Sequence, residues 1–215
     1  MKNAFKALNL AIFLAASLFL ATASFAQPAQ QARQALETAV NTILADIRNP
    51  DYANAATRGP LRNQIENEVH RIFDFSEFSS RTVGPRWRTF SPDIRRQFAD
   101  AFANLLINTY LTKVTGYNGE KVEWLGEVVA RDGGQVEVRT SISMKDGKKI
   151  PVFYRMLNKD GAWRVYDVII ENISLVKNYR TQFQSILNSA SPEELIAKIE
   201  ARAKEVSEQG AASAK

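Results

Sequence analysis

The segment from Ala162 to Leu187, AWRVYDVIIENISLVKNYRTQFQSIL, constrains the fold more than any other stretch, because its hydrophobic period changes partway along it. Trp163 to Ile170 is rich in aromatic and β-branched residues and reads as a strand. Ile173, Val176, Tyr179, Phe183 and Ile186 with Leu187 then recur at helical spacing. A strand therefore runs into a helix, and the rest of the chain must supply partners for both. Asp167, Glu171, Asn172 and Ser174 gather at the junction, where asparagine tolerates left-handed backbone and serine or asparagine caps an opening helix. Such a junction is either a corner of the fold or the rim of a site.

The partners are visible upstream. Val122, Trp124 and Val128 alternate with Lys121, Glu123 and Glu127, and Val136, Val138, Thr140, Ile142 and Met144 alternate with Gln135, Glu137, Arg139, Ser141 and Ser143. Lys149 to Leu157 adds a strand, Gly133-Gly134, Asp146-Gly147 and Asp160-Gly161 are turn signals, and Trp163 opens the fourth strand of an antiparallel meander.

Helical spacing precedes the strands: Ala32, Leu36, Val40, Ile43-Leu44 and Ile47 as far as Asn49-Pro50, then Leu61, Ile65, Val69 and Ile72-Phe73 after Gly59-Pro60. Asp74 caps a short helix bearing Phe75 and Phe78, which Gly84-Pro85 ends. Ser91-Pro92 opens the longest helix, which carries Ile94, Phe98, Phe102, Leu105, Leu106 and Tyr110 and ends near Val114. Ser191-Pro192-Glu193-Glu194 is a capping box ahead of a last helix with Leu195, Ile196, Ile199 and Ala203. The order of helices, sheet, helices predicts an α+β fold in which a four-stranded curled antiparallel sheet is covered on one face by several helices.

Residues 1–26 read as a secretory signal peptide: Lys2 and Lys6, an uncharged apolar run from Leu8 to Ala21, and a small-x-small pattern at Ser24-Phe25-Ala26. Cleavage after Ala26, with Ala23 as the alternative, leaves a single domain over 27–208 and a tail, 209–215, expected to be disordered. No second apolar span follows, so the exported product is expected to be soluble and without a membrane anchor. Losing Lys2 and Lys6 lowers the net charge from +5 to +3, too little to make a polyanion the main partner. There is no cysteine, so packing rather than disulfides must hold an exported chain together, and thiolate chemistry and cysteine-ligated metal are excluded.

Catalytic signatures are missing. His70 is the single histidine and lies between Val69 and Arg71 on a helix, so no HExxH, histidine pair or Cys-His arrangement can form. There is no GxSxG, P-loop or GxGxxG. Asp167 and Glu171 are the carboxylate pair a hydrolase could use, but one strand spacing does not make a site. Arg81, Arg86, Arg88, Arg95 and Arg96 surround Trp87, with Lys177 and Arg180 farther on; in an exported chain of small net charge they read as a solvated face or a docking patch for an acidic partner rather than a nucleic-acid surface. No catalytic residue, metal or cofactor is assigned.

What remains is a surplus of apolar and aromatic residues. The candidates are Phe73, Phe75 and Phe78 from the short helix, Phe98, Phe102, Leu105, Leu106 and Tyr110 from the long one, Trp124, Val138, Ile142, Val152, Tyr154, Trp163 and Val165 from one sheet face, and Val176, Tyr179 and Phe183 from the helix after the junction. They fit an ordinary filled core, as expected of an interaction or scaffold module. They equally fit the lining of an apolar cavity between a curled sheet and its helices.

Two blocks carry a resemblance. Val165-Tyr166-Asp167-Val168-Ile169-Ile170-Glu171, Ser174-Leu175-Val176, Asn178-Tyr179-Arg180 and Gln182-Phe183 form one; Asp74-Phe75, Gly84, Trp87, Gln97-Phe98, Phe102, Leu105-Leu106 and Thr109-Tyr110 form the other. In this order they resemble the MlaC family of periplasmic phospholipid-binding proteins, also called toluene-tolerance auxiliary proteins. Asn172 stands where the family pattern has glycine, a tolerated exchange in a left-handed turn. The resemblance implies a nuclear-transport-factor-like fold and a soluble, monomeric periplasmic carrier without catalytic activity. It would hold glycerophospholipid acyl chains in its interior, with the apolar residues named above as cavity lining. It would shuttle lipid between an outer-membrane lipoprotein complex and an inner-membrane ABC transporter with its substrate-binding component, maintaining outer-membrane lipid asymmetry.

Overall fold

The computed structural model describes residues 27–54, 56–114, 119–129 and 134–213. The proposed signal peptide, residues 1–26, and Gly133 of the first turn signal lie outside them. The chain forms helix α1 (27–48), a single turn α2 (Pro50–Ala53), α3 (Arg58–Ile72), α4 (Phe75–Val83), a 3-10 stretch (Gly84–Thr89) and α5 (Pro92–Val114). Strands β1 (Lys121–Val129), β2 (Gln135–Ser143), β3 (Lys149–Lys159), β4 (Ala162–Ile170) and β5 (Ile173–Ser174) follow, then α6 (Leu175–Leu187) and α7 (Pro192–Ser213). The sheet is antiparallel in the order β1-β2-β3-β4-β5 and is open rather than closed.

Helix boundaries follow from local chemistry. Asp74 accepts the backbone N–H of Glu77 at 2.9 Å, and Ser91 accepts that of Ile94 at 3.2 Å. The Ser191 backbone donates to Glu194 at 2.7 Å while Glu194 N–H donates to the Ser191 hydroxyl at 3.2 Å, which is the reciprocal box expected from the sequence. α7 continues to Ser213, so Gln209 to Ser213 extend the helix where a disordered tail was expected. Ala211 and Ala212 are strong helix formers and one glycine, Gly210, costs only about 1 kcal/mol, so the helix carries through.

Three details of the sheet differ from the alternation pattern. There are five strands, not four. Glu171 and Asn172 both have positive φ, 49° and 68°, and make a two-residue hairpin turn that lays Ile173-Ser174 back against Ile169 and Ile170. A two-residue strand is too short to show alternation. Next, β1 bulges between Trp124 and Gly126, so the residues beyond it change face: Glu127 stands opposite Val138, on the inner side, instead of sharing the outer side with Glu123. Finally, β4 bulges at Tyr166, which places Val165 opposite Met156 but Asp167 opposite Arg155.

The core is one continuous cluster in which the inner face of the sheet meets α1, α3, α4, α5 and α6, while α7 packs along α5. A parallel bridge between Phe73 and Val165, with Asp74 N–H donating to Val165 O at 2.9 Å, ties the α3–α4 corner to β4. Asp74 also accepts Lys159 Nζ at 2.7 Å.

Candidate functional site

The inner sheet face is packed shut at one end and open at the other. At the closed end Val136, Met156 and Val165, in register on β2, β3 and β4, are at most 2% exposed, and Val138 beside them is fully buried. Towards the opposite end Trp124, Ile142, Ile150, Tyr154 and Ile170 remain half-buried although they point inward. Tyr154 is the most informative of them. Burial alone pushes its phenol up to about 12, as for a group deep in protein, yet the side chain keeps accessible surface.

The helical aromatics are arranged differently. Phe98 and Phe102 are fully buried, and Phe183 packs edge-on against both, with centroids at 5.5 and 5.3 Å. Phe78 reaches Phe102 at 5.6 Å, and Tyr179 reaches it at 4.8 Å. With Leu105, Leu106, Val152, Trp163 and Val176, also buried, these residues belong to the filled part of the interior. Phe73 and Phe75 stack on each other at 5.5 Å beside His70, near the α3–α4 corner. The candidate residues thus fall into three groups: the packed helical cluster with the closed end of the sheet, the half-buried inward residues Trp124, Ile142 and Tyr154, and the Phe73–Phe75 stack. Tyr110 and Tyr179 are half-buried at the margin of the first; burial raises both phenols, that of Tyr179 to about 12, with Tyr110 adding to the rise and Arg202 opposing it.

A groove of about 610 Å³ leads from the open end to the surface. Its walls are Val40 and Leu44 of α1 and Val122 and Trp124 of β1, and Asn41, Arg48, Glu120 and Lys121 stand around it. Val122 lies in register with Ile142 and Trp124 with Thr140, so the groove is continuous with the inner sheet face. Val40, Leu44, Val122, Ile150 and Arg48 were absent from the sequence candidates. The α1 residues lay on an ordinary amphipathic stripe, and no pattern along one element shows that it stands away from its neighbour. A second concavity of about 310 Å³ lies among α5, α6 and α7, over buried Phe183, Leu195 and Ile199.

The strand-to-helix junction is a structural corner. Asp167, 2% exposed, accepts Ser174 Oγ at 2.7 Å, Val176 N–H at 3.0 Å and Arg155 Nη1 at 3.4 Å, while Ser174 in turn caps Lys177 N–H at 3.1 Å. Glu171 is exposed and pairs with Lys148 at 3.0 Å. The two carboxylates therefore serve different partners and do not converge on a common point. The arginines around Trp87 are largely engaged with backbone: Arg95 donates to Trp87 O and Arg88 O, Arg86 to Leu187 O and Arg180 to Arg81 O. Among the described residues no group of three or more acidic, cysteine or histidine side chains could hold a metal ion, and no helix is long and apolar enough to cross a membrane.

This architecture has known counterparts. A phospholipid-binding protein from Ralstonia solanacearum, solved in complex with a phospholipid, superimposes with a TM-score of 0.73 at 26% identity, covering 82% of this chain and 98% of that one. The intermembrane phospholipid transport system binding protein MlaC of Haemophilus influenzae is 24% identical over 168 residues, 77% of this chain and 78% of the relative. The toluene tolerance protein ttg2D of Pseudomonas putida is 22% identical over 156 residues, 72% of each chain. The family model for MlaC protein matches residues 37–201, from the middle of α1 to the middle of α7 and so across both the groove and the corner, and the chain belongs to the MlaC family.

Proposed function

We propose that this protein is a periplasmic phospholipid carrier. Acyl chains lie between the sheet and the helices, starting from the groove beside Trp124, and the headgroup stays at the surface. The protein ferries lipid between an outer-membrane lipoprotein complex and an inner-membrane ABC transporter, and so helps maintain outer-membrane lipid asymmetry. The observation that carries this reading is the groove between α1 and β1, whose apolar walls Val40, Leu44, Val122 and Trp124 continue the inner face of the sheet. Family membership and the phospholipid-bound Ralstonia structure support it.

Energetics explain why an apolar interior suits the task. About fourteen buried methylenes at about 0.8 kcal/mol each make an acyl chain about 11 kcal/mol less stable in water than in an apolar site. A carrier must match the bilayer to that extent, and neither nucleotide hydrolysis nor covalent chemistry is needed within it. Direction is set by the partners, since a binding protein shifts an equilibrium only by its differential affinity for two states. The test is organic extraction of the purified protein followed by mass spectrometry, with uptake from vesicles containing labelled phospholipid. Co-purified phospholipid near one molecule per chain is expected; absence of both bound lipid and uptake refutes the carrier.

A further inference from the structure

The arginines around Trp87 form a seam between α6 and the stretch that runs from the end of α4 to the start of α5. Arg180 of α6 donates to Arg81 O at 2.8 Å, Arg86 donates to Leu187 O, and Arg95 donates to Trp87 O and Arg88 O at 3.0 Å each. These bonds satisfy carbonyls in the last turns of α4 and α6 and along the 3-10 stretch, and they fix where the guanidinium groups stand. A carbonyl takes up N–H groups without cancelling the charge, and each guanidinium keeps free donors. Arg88 is exposed, and its side chain has no partner among the described residues.

Carboxylates are scarce along this seam. Glu77 pairs with Arg81 at 2.7 Å, Asp93 pairs with Arg96 at 2.8 Å, and Asp100 follows one turn after Arg96. Six arginines, at 81, 86, 88, 95, 96 and 180, against these three carboxylates leave an excess of three positive charges. Residues 27–215 carry +3, the +5 of the whole chain less Lys2 and Lys6, so the seam holds the entire surplus and the remainder is balanced. Other cationic clusters are matched. On the sheet Arg139 and Arg155 share Glu137, with Asp167 also on Arg155, and beside Phe73 Lys159 and Arg164 stand with Asp74 and Asp160.

The seam also has a firm base. Trp87 packs on Phe90 at 5.7 Å and on the fully buried Phe98 at 5.8 Å, and the Arg95 guanidinium lies 5.9 Å from its ring centroid. We infer that this seam is a docking surface for an acidic segment of a partner protein, whose carboxylates pair with Arg88 and Arg96 and with the remaining N–H groups of the anchored arginines. Arginine held by backbone suits the two-pronged geometry of a carboxylate, and little side-chain freedom is lost on docking. The Asp93–Arg96 pair is more than two-thirds exposed on both sides, so a partner carboxylate can take the place of Asp93. A bilayer fits less well: the exposed large apolar side chains among the described residues, Leu125 and Ile173, lie on β1 and β5, and the seam has none to insert. This surface is distinct from the α1–β1 groove, and its role does not depend on what the interior holds.

The experiment follows the fluorescence anisotropy of a labelled peptide of alternating glutamate and serine, with a glutamine-serine peptide of the same length as the neutral control. Wild type should bind the acidic peptide at least about tenfold more tightly than the neutral one, with an affinity that falls as salt is added. The double variant Arg88→Glu, Arg96→Glu should weaken that binding about tenfold. Lys198→Glu, Lys204→Glu, the same change of charge placed on α7, should weaken it less than about twofold. Arg88→Gln, a milder change at an exposed position, should weaken it about threefold and guards against misfolding of the double variant. An equal loss in both double variants means that the peptide reads net charge alone and overturns the seam, as does a wild type that binds both peptides alike. Vesicles of dioleoylphosphatidylglycerol complete the comparison. If wild type binds them through Arg88 and Arg96 and does not bind the acidic peptide, the seam is a membrane contact and the protein-partner assignment falls.

Discussion

Replacing Asp167 separates a structural carboxylate from a catalytic one. One of its oxygens accepts the Val176 N–H at the start of α6, and the other accepts Ser174 Oγ and Arg155 Nη1. Asp167→Ala leaves an orphaned helix N–H, a buried hydroxyl without its acceptor and an arginine that keeps only Glu137 of its two carboxylates. Removing one partner of a buried ionic network costs about 3–5 kcal/mol. Asp167→Asn keeps the shape and an oxygen for Val176, loses the charge, and should cost about 1–2 kcal/mol. With a urea m-value of about 2 kcal/mol/M, the alanine variant should shift the unfolding midpoint down by about 1.5–2.5 M and the asparagine variant by less than about 1 M. Urea titration followed by tryptophan fluorescence measures both, and far-UV circular dichroism checks that the native states agree. Phospholipid content of the folded asparagine variant should be unchanged. An alanine variant shifted by less than about 0.5 M would refute the corner assignment, as would a folded asparagine variant that has lost its bound lipid while keeping its stability.

Two further outcomes follow from titratable groups. Burial raises the carboxyl of Asp74, but hydrogen bonds from Lys159 and from the backbone of Glu77 and Ser76 outweigh it, and the net shift is downward from 3.8. Because the folded value lies below the unfolded one, its stabilisation is present above about pH 4 and is lost as pH falls through the folded value. Asp74→Asn should cost about 1–2 kcal/mol at pH 7, and the deficit should close in acid; a deficit that stays constant to pH 2 refutes the assignment. Tyr154 has the opposite sign, since a phenol raised from 10.0 to about 12 favours the folded state only while neutral. Wild-type stability should fall between pH 10 and 12, by about 2–3 kcal/mol from this group, and Tyr154→Phe should lose that much less over the same range. Parallel alkaline curves for the two proteins would refute the burial of the Tyr154 phenol.

Much of the fold was legible because its signals are local. Asp74, Ser91, Ser174 and Glu194 each act on backbone within three residues, so their caps could be read from spacing, and the sheet order follows from consecutive turns. The bulges at Leu125 and Tyr166 were not legible, since each depends on how two strands fit each other. Glu127 shows the consequence: its alternation placed it outside, and the bulge turns it inward to Arg33, 94 residues earlier. The site was legible only as a list of inward-facing residues. Phe102 and Tyr154 look alike in such a list, yet one is sealed among Phe78, Phe98 and Phe183 and the other keeps accessible surface. Periodicity specifies the face a side chain takes. The space left in front of it depends on every element opposite.

That division of the interior bears on which element would move to admit a lipid. The helical aromatic cluster and the closed end of the sheet are closely packed against each other. The second half of α1 contributes far less, with Ile47 buried and Val40, Ile43 and Leu44 only half-buried. Lifting it would expose the equivalent of one or two aliphatic side chains, about 2–5 kcal/mol at about 1.5–3 each. The Arg33–Glu127 pair, with Arg33 more than a third exposed, adds little to that resistance, about 0–1 kcal/mol. Against about 11 kcal/mol for a buried acyl chain, the carrier reading therefore makes α1 the element that yields, while the aromatic cluster of α4, α5 and α6 stays in place.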